Sequence, residues 1–169
     1  MSVYLQKLRL THTTANQRYA DTDSGVYLDL FIDPSDSSTY PYSGWKSFLL
    51  DSSRDDRERG VEETYEIDFT LETTGVSESI GGTIVPNGIR FSNLTDVNTL
   101  VAFLRIRGAD WWLVKDYKLE GQFKEVAYFP GPIVDHEWLT LSLNSYPINL
   151  STDKSEGVST HHIIIKIAS

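Results

Sequence analysis

Tyr65-Glu66-Ile67-Asp68-Phe69-Thr70-Leu71-Glu72 alternates apolar and polar side chains without a break. A period of two sets one face of a strand on a core and the other toward solvent. The same beat continues outward from this stretch. Val26, Leu28, Leu30 and Ile32 alternate with Tyr27, Asp29 and Phe31, and Leu139, Leu141 and Leu143 alternate with threonine and serine. The tail Ile163-Ile164-Ile165-Lys166-Ile167 is a β-branched run, which predicts a strand buried on both faces. Turn formers separate these runs at Asp33-Pro34-Ser35-Asp36, Pro86-Asn87-Gly88, Pro130-Gly131-Pro132 and Ser155-Glu156-Gly157. Strands at this spacing predict an all-β sandwich. One segment departs from the pattern. Leu94, Val97, Val101 and Leu104 fit a helical stripe as well as a strand, so a helical turn is expected near Thr95-Asp96-Val97, then a strand from about Leu100 to Arg107.

The chain has 169 residues, enough for one sizeable core without a staple, and no linker or internal repeat divides it. A single domain spanning 1–169 is expected. There are no cysteines, which excludes disulfides, thiolate metal sites and a cysteine nucleophile. The formal charge is −9. Nucleic-acid binding depends on neutralising phosphates with Lys and Arg, and this balance argues against it. No apolar run reaches spanning length, and Met1-Ser2-Val3-Tyr4-Leu5-Gln6-Lys7 lacks a signal-peptide core. The expectation is a soluble chain, cytoplasmic or released, with peripheral membrane association open.

Three acidic segments lie beside the strands: Tyr19-Ala20-Asp21-Thr22-Asp23-Ser24-Gly25, Leu50-Asp51-Ser52-Ser53-Arg54-Asp55-Asp56-Arg57-Glu58-Arg59-Gly60, and Arg107-Gly108-Ala109-Asp110-Trp111-Trp112. Clustered carboxylates suit Ca²⁺, which takes six to eight hard oxygens in a flexible cage. Asp and Ser are also ordinary turn formers, and acidic loops are mostly solvated turns. Asp135-His136-Glu137 reads as a solvated strand start, because adjacent strand residues face opposite ways. His161-His162 reads as a strand start rather than a zinc pair. No nucleophile elbow, Walker loop or dinucleotide fingerprint occurs. Tyr40-Pro41-Tyr42-Ser43-Gly44-Trp45 is an aromatic cluster near a turn, read either as a carbohydrate or protein contact or as a loop folded on the sandwich edge.

Ala20-Asp21-Thr22-Asp23-Ser24-Gly25-Val26 resembles the Ala-Gly-Thr-Asp-Ala-x-Val stretch of PLAT/LH2 domains, the family of sandwiches found in lipoxygenases, pancreatic lipase and clostridial alpha-toxin. Leu50 to Gly60, followed by Glu63-Thr64-Tyr65-Glu66-Ile67, is similar to that family's second hallmark. Arg105-Ile106-Arg107, Asp110 and Trp112-Leu113-Val114-Lys115 are similar to its third. The three motifs occur in family order between Val3 and about Leu119. The segment 72–99 is longer than usual and reads as a hairpin insertion; about 121–169 reads as a C-terminal extension.

The resemblance implies an eight-stranded antiparallel sandwich. It also implies calcium, held at one site by Thr22, the backbone near Asp21, and Asp110. A second site would use Asp51, Asp56 and carbonyls near Ser52 and Arg54, with Asp23 bracing the first loop. The departures are Asp21 for a glycine, Ser52 for an asparagine, and Arg57 for a buried aromatic, which sets a cation among the acids. Family members meet a membrane or a partner protein at this loop end. Trp112 should be core and Trp111 should point the other way, either into a membrane or partner contact or against the 72–99 insertion. Family enzymes carry catalysis in a separate domain, so no enzyme is expected here. The expected function is a binding or targeting module with calcium-assisted docking to a lipid surface or partner protein. The alternative is a metal-independent assembly subunit of a toxin or other multi-protein complex.

Overall fold

In the computed structural model, residues 2–18, 22, 24–32, 44–50, 57–69, 79–80, 83–84, 88–127, 133–155 and 157–167 are described. Two antiparallel sheets pack face to face. The first is built on two long strands, β1 (Ser2–Thr14) and β9 (Trp111–Val126). On the outer side of β9 lie β10 (Ile133–Asn144) and β11 (Ile148–Ser151); on the outer side of β1 lie β4 (Glu62–Asp68) and β7 (Ile89–Phe91). The second sheet runs β12-β8-β2-β3, from β12 (Thr160–Ile163) through β8 (Val101–Arg107) and β2 (Gly25–Ile32) to β3 (Gly44–Leu49). β5 (Ser79–Ile80) and β6 (Thr83–Ile84) form a separate antiparallel pair, within the segment expected as a hairpin insertion. The predicted all-β sandwich is what the chain forms.

The core sits where alternation placed it. Val26, Leu28 and Leu30 are buried on β2, and Tyr65 and Phe69 are buried from the stretch that fixed the period. Trp112, Phe69, Phe91 and Phe123 are among the largest fully buried side chains, each contributing roughly 2–3 kcal/mol by removal from water. The helical turn is present as a 3-10 helix over Leu94–Thr99, whose Asn93 side chain accepts from the Asp96 N–H at 3.0 Å. Ile89, Phe91 and Val97 are all buried, so the later part of the 72–99 segment belongs to the core. The extension supplies β10, β11 and β12 and contributes Phe123, Leu141, Ile148, Leu150 and Ile163 to it.

Two readings change. The tail is not buried on both faces: Ile163, Ile165 and Ile167 are buried while Ile164 is 70% exposed. Beyond Ile163 the chain leaves the edge of the second sheet and follows the seam. There the Lys166 N–H bonds to Leu141 O of the first sheet at 2.8 Å, and only one side of the run meets the core. In β10, Leu141 is buried but Leu143 is 71% exposed. A register shift between Thr140 and Ser142 adds one residue and turns the next leucine outward. Among the described residues no helix is long and apolar enough to cross a membrane.

Candidate functional site

The strand directions bring the stems of the three acidic segments to one pole. β2 begins there at Gly25, opposite Arg107 at the end of β8, and β3 ends beside them. In the other sheet β9 begins there, β1 ends there, and β4 starts opposite Thr13. Hydrogen bonds tie the stems together. The Ser24 N–H donates to Thr22 Oγ1 at 3.1 Å, and the Asp110 N–H donates to Ser24 Oγ at 3.2 Å. The first and third segments are thereby joined. Gly108 allows the approach: its φ is +128°, and a Cβ there would lie 2.6 Å from Ser24 Oγ. Thr152 Oγ1 donates to Gly108 O at 2.6 Å from beyond β11.

The second segment is held at both ends. The Leu50 N–H donates to Val26 O at 2.8 Å. Across the loop, Arg57 Nη1 donates to Leu50 O at 2.6 Å, and the Arg57 N–H donates to Glu63 Oε2 at 2.8 Å. Arg57 is 6% exposed with φ of +63°. It stands inside the protein as a clasp between the two stems, where the family pattern has an aromatic. Glu63 Oε2 also accepts from Tyr65 OH at 3.0 Å and faces His12 Nε2 at 3.6 Å. Buried His12 stacks on Tyr65 at 5.4 Å and meets the edge of Trp112 at 4.8 Å. Trp112 Nε1 donates to Thr14 Oγ1 at 2.9 Å. In the sequence this inward polar network shows only as a cation amid acids.

Of the expected ligands, Thr22 and Asp110 are among the described residues. Thr22 is 3% exposed. Asp110 Oδ1 accepts from the Trp111 N–H at 2.9 Å, a bond that fixes the carboxylate at the loop end. Both present hard oxygens of the kind Ca²⁺ takes. Asp21, Asp23, Asp51, Ser52, Arg54 and Asp56 lie outside the described residues. Among the described residues, no three His, Cys, Asp or Glu side chains are grouped to hold a metal. Trp112 is fully buried, as expected. Trp111 lies on the opposite face, half-buried against Ala15 and Leu113. Asp135 pairs with Lys124 at 3.7 Å and His136 with Glu125 at 2.8 Å, so this triplet makes cross-strand contacts instead of converging.

No family model matches the chain, and no curated protein matches it. Several solved structures are similar in fold. Among them is "Alpha Toxin from Clostridium Absonum", with 16% sequence identity and a TM-score of 0.45. The match covers 88% of this chain and 32% of the toxin chain, so the chain spans about a third of that protein's length.

Proposed function

We propose that the chain is a non-catalytic binding module that docks through this pole, with calcium assisting its approach to an anionic lipid surface. The observation that carries the reading is the convergence of the three acidic stems, joined by the Ser24–Asp110 and Leu50–Val26 hydrogen bonds. The resemblance of these stretches to PLAT/LH2 motifs supports it. A chain of charge −9 is repelled by anionic headgroups. A divalent cation held by Asp110, Thr22, Asp51 and Asp56, with the backbone near Asp21, would offset that repulsion. Trp111 would then supply apolar contact beside the loop. The test is co-sedimentation with vesicles of phosphatidylserine and phosphatidylcholine. Pelleting is expected in millimolar calcium, with loss on chelation and in the double variant Asp51→Asn, Asp110→Asn. Equal recovery in the supernatant under all conditions would remove the membrane reading.

A second reading has its own observation. The guanidinium of Arg57 already bridges the two stems of the second segment at Leu50 O, so a cation the chain supplies itself stands between them. That favours a metal-independent assembly subunit docking by the same pole. A partner complex that survives chelator and is lost in Arg57→Leu would select it.

A further inference from the structure

Trp45 closes the aromatic stretch read from the sequence as a carbohydrate or protein contact. It points outward from the second sheet and is 58% exposed. A row of rings runs from it across four strands. Trp45 meets Phe31 at 5.3 Å and Phe103 at 5.6 Å, and Phe103 meets His162 at 5.0 Å. From Trp45 to Phe103 to His162, successive ring planes differ by 35° and 32°, so the ring faces turn only gradually along the row. Nearer the acidic pole, the same face carries polar groups. Arg105 forks to Asp29, with Nε at 2.6 Å and Nη2 at 3.2 Å, and its guanidinium lies 4.5 Å over the Tyr27 ring. Arg107, the next outward residue of β8, is exposed. Among the described residues its guanidinium has no ion-pair or hydrogen-bond partner.

We infer that this face binds a short acidic sugar chain, with sugar rings stacked on Trp45, Phe103 and His162 and the anionic group held by Arg107. A sugar ring has flat C–H faces that stack on aromatic rings, and the spacing of the row is close to the length of one sugar unit. Its hydroxyls need polar partners, and Asp29 with Arg105 offers an acceptor and donors beside the row. Charge selects the kind of sugar. Among the outward residues of β2, β3, β8 and β12 there are two arginines and one aspartate. The face thus carries an excess of one positive charge on a chain whose total is −9. That excess is the guanidinium of Arg107, a fork shaped to take a carboxylate or sulfate.

Size and charge disfavour larger occupants. Four strands at about 4.8 Å spacing and about six residues of 3.3 Å rise give a patch of roughly 400 Å² in plan. That is about half of the ~800 Å² per partner of a standard protein interface. A nucleic-acid strand needs several cations to neutralise its phosphates, and one unpaired guanidinium does not supply them. An anionic bilayer meets the repulsion of much of the molecule, whereas a small ligand feels only the charges within a screening length of about 8–10 Å. From Phe103 to Arg107 is about 13 Å along β8, a span of roughly two to three sugar units. The site is open and shallow, so the dissociation constant is on the order of 100 μM to 1 mM.

The test is a glycan array of neutral, uronic-acid and sialic-acid oligosaccharides probed with the whole chain in chelator, which keeps the result independent of the calcium pole. Acidic oligosaccharides are expected to be retained above neutral ones. Calorimetry then compares the best-retained acid with its methyl ester, which removes the charge and keeps the rings. The acid should bind several-fold tighter in about 0.1 M NaCl, and the difference should shrink in about 1 M as the screening length falls from ~10 to ~3 Å. Arg107→Gln abolishes that difference. Trp45→Ala weakens both ligands at least about tenfold, the loss of one contact anchor. Both residues are exposed, so neither change should move the melting temperature much. Leu143→Ala, an exposed apolar change on the other sheet, leaves binding unaltered. An array with no retained glycan would overturn the inference. So would equal binding of acid and ester, binding indifferent to Trp45→Ala, or a Trp45→Ala variant that loses vesicle pelleting while no sugar binds the unaltered chain.

Discussion

Arg57 combines two features that seldom occur together in one arginine: it is buried, and its backbone is left-handed, with φ of +63°. The strain is held by contacts on both sides, its own N–H to Glu63 and its guanidinium to Leu50 O. Arg57→Ala keeps the backbone cost and leaves the buried Leu50 carbonyl short of a donor. A loss of about 1–3 kcal/mol is expected in urea unfolding. Arg57→Gly relieves the φ strain, so it should cost less than Arg57→Ala. In the sequence Arg57 reads only as a neutraliser of nearby acids, because burial and a positive φ are set by tertiary contacts that composition does not carry. Trp112 was legible, since it opens a strand whose next inward residue, Val114, is apolar. His161 supplies a pH effect at the same scale. Burial lowers its pKa from the ordinary 6.5, and the charge of His162 lowers it further. Its Nε2 lies 3.0 Å from Tyr117 OH. Above pH 6.5 neither state binds the proton. As pH falls through that value, the unfolded chain takes up a proton that the native state resists, so stability falls until the native histidine also titrates. Melts from pH 8 to pH 5 should show this decline, and it should be smaller in His161→Gln.

Strand elements were readable as far as the period of two runs unbroken. β2 and β4 obey it over their described side chains, with Val26, Leu28, Leu30, Tyr65 and Phe69 inward; the side chains of Ile32 and Leu71 lie outside the described residues. The long strands break it. In β1, a register shift between Leu5 and Lys7 moves the inward set from Val3 and Leu5 to Leu8 and Leu10. A second shift between Thr13 and Thr14 does the same to β9, whose inward residues pass from Trp112 and Val114 to Tyr117 and Leu119. Each added residue inverts the faces after it, and no residue type marks the place. The outward aromatic face has a signal in the sequence: Tyr27 and Phe31 occupy the nominally polar side of β2. Close packing makes the middle of β9 sensitive to volume. A Cβ on Gly121 would lie 2.6 Å from Phe123 Cε2 and 3.2 Å from Leu141 Cδ1. Both neighbours are buried and have little room to move. Gly121→Ala should cost about 1–3 kcal/mol, read as a lower melting temperature with an unchanged far-ultraviolet spectrum.

At the scale of the molecule, one sandwich presents two surfaces of different chemistry, an acidic pole where loop stems meet and an aromatic sheet face. The strand order decides the first: β2 starts, β3 ends and β8 ends side by side, so acids distant in sequence share one pole. Their acidity was plain in the sequence, and their stems converge as the motif order implied. In the proposed cage, Asp51 and Asp56, which lie outside the described residues, would supply the further oxygens. A ligand held only by the native state raises its stability by about 2.7 kcal/mol at a hundredfold excess over the dissociation constant. For a chain of this length that is a melting shift of roughly 5–10 °C. Thermal unfolding in millimolar calcium and in chelator tests the central claim most directly. The account predicts a higher melting temperature with calcium, reversed by chelator and absent in Asp51→Asn with Asp110→Asn; superimposable curves for the unaltered chain would contradict it.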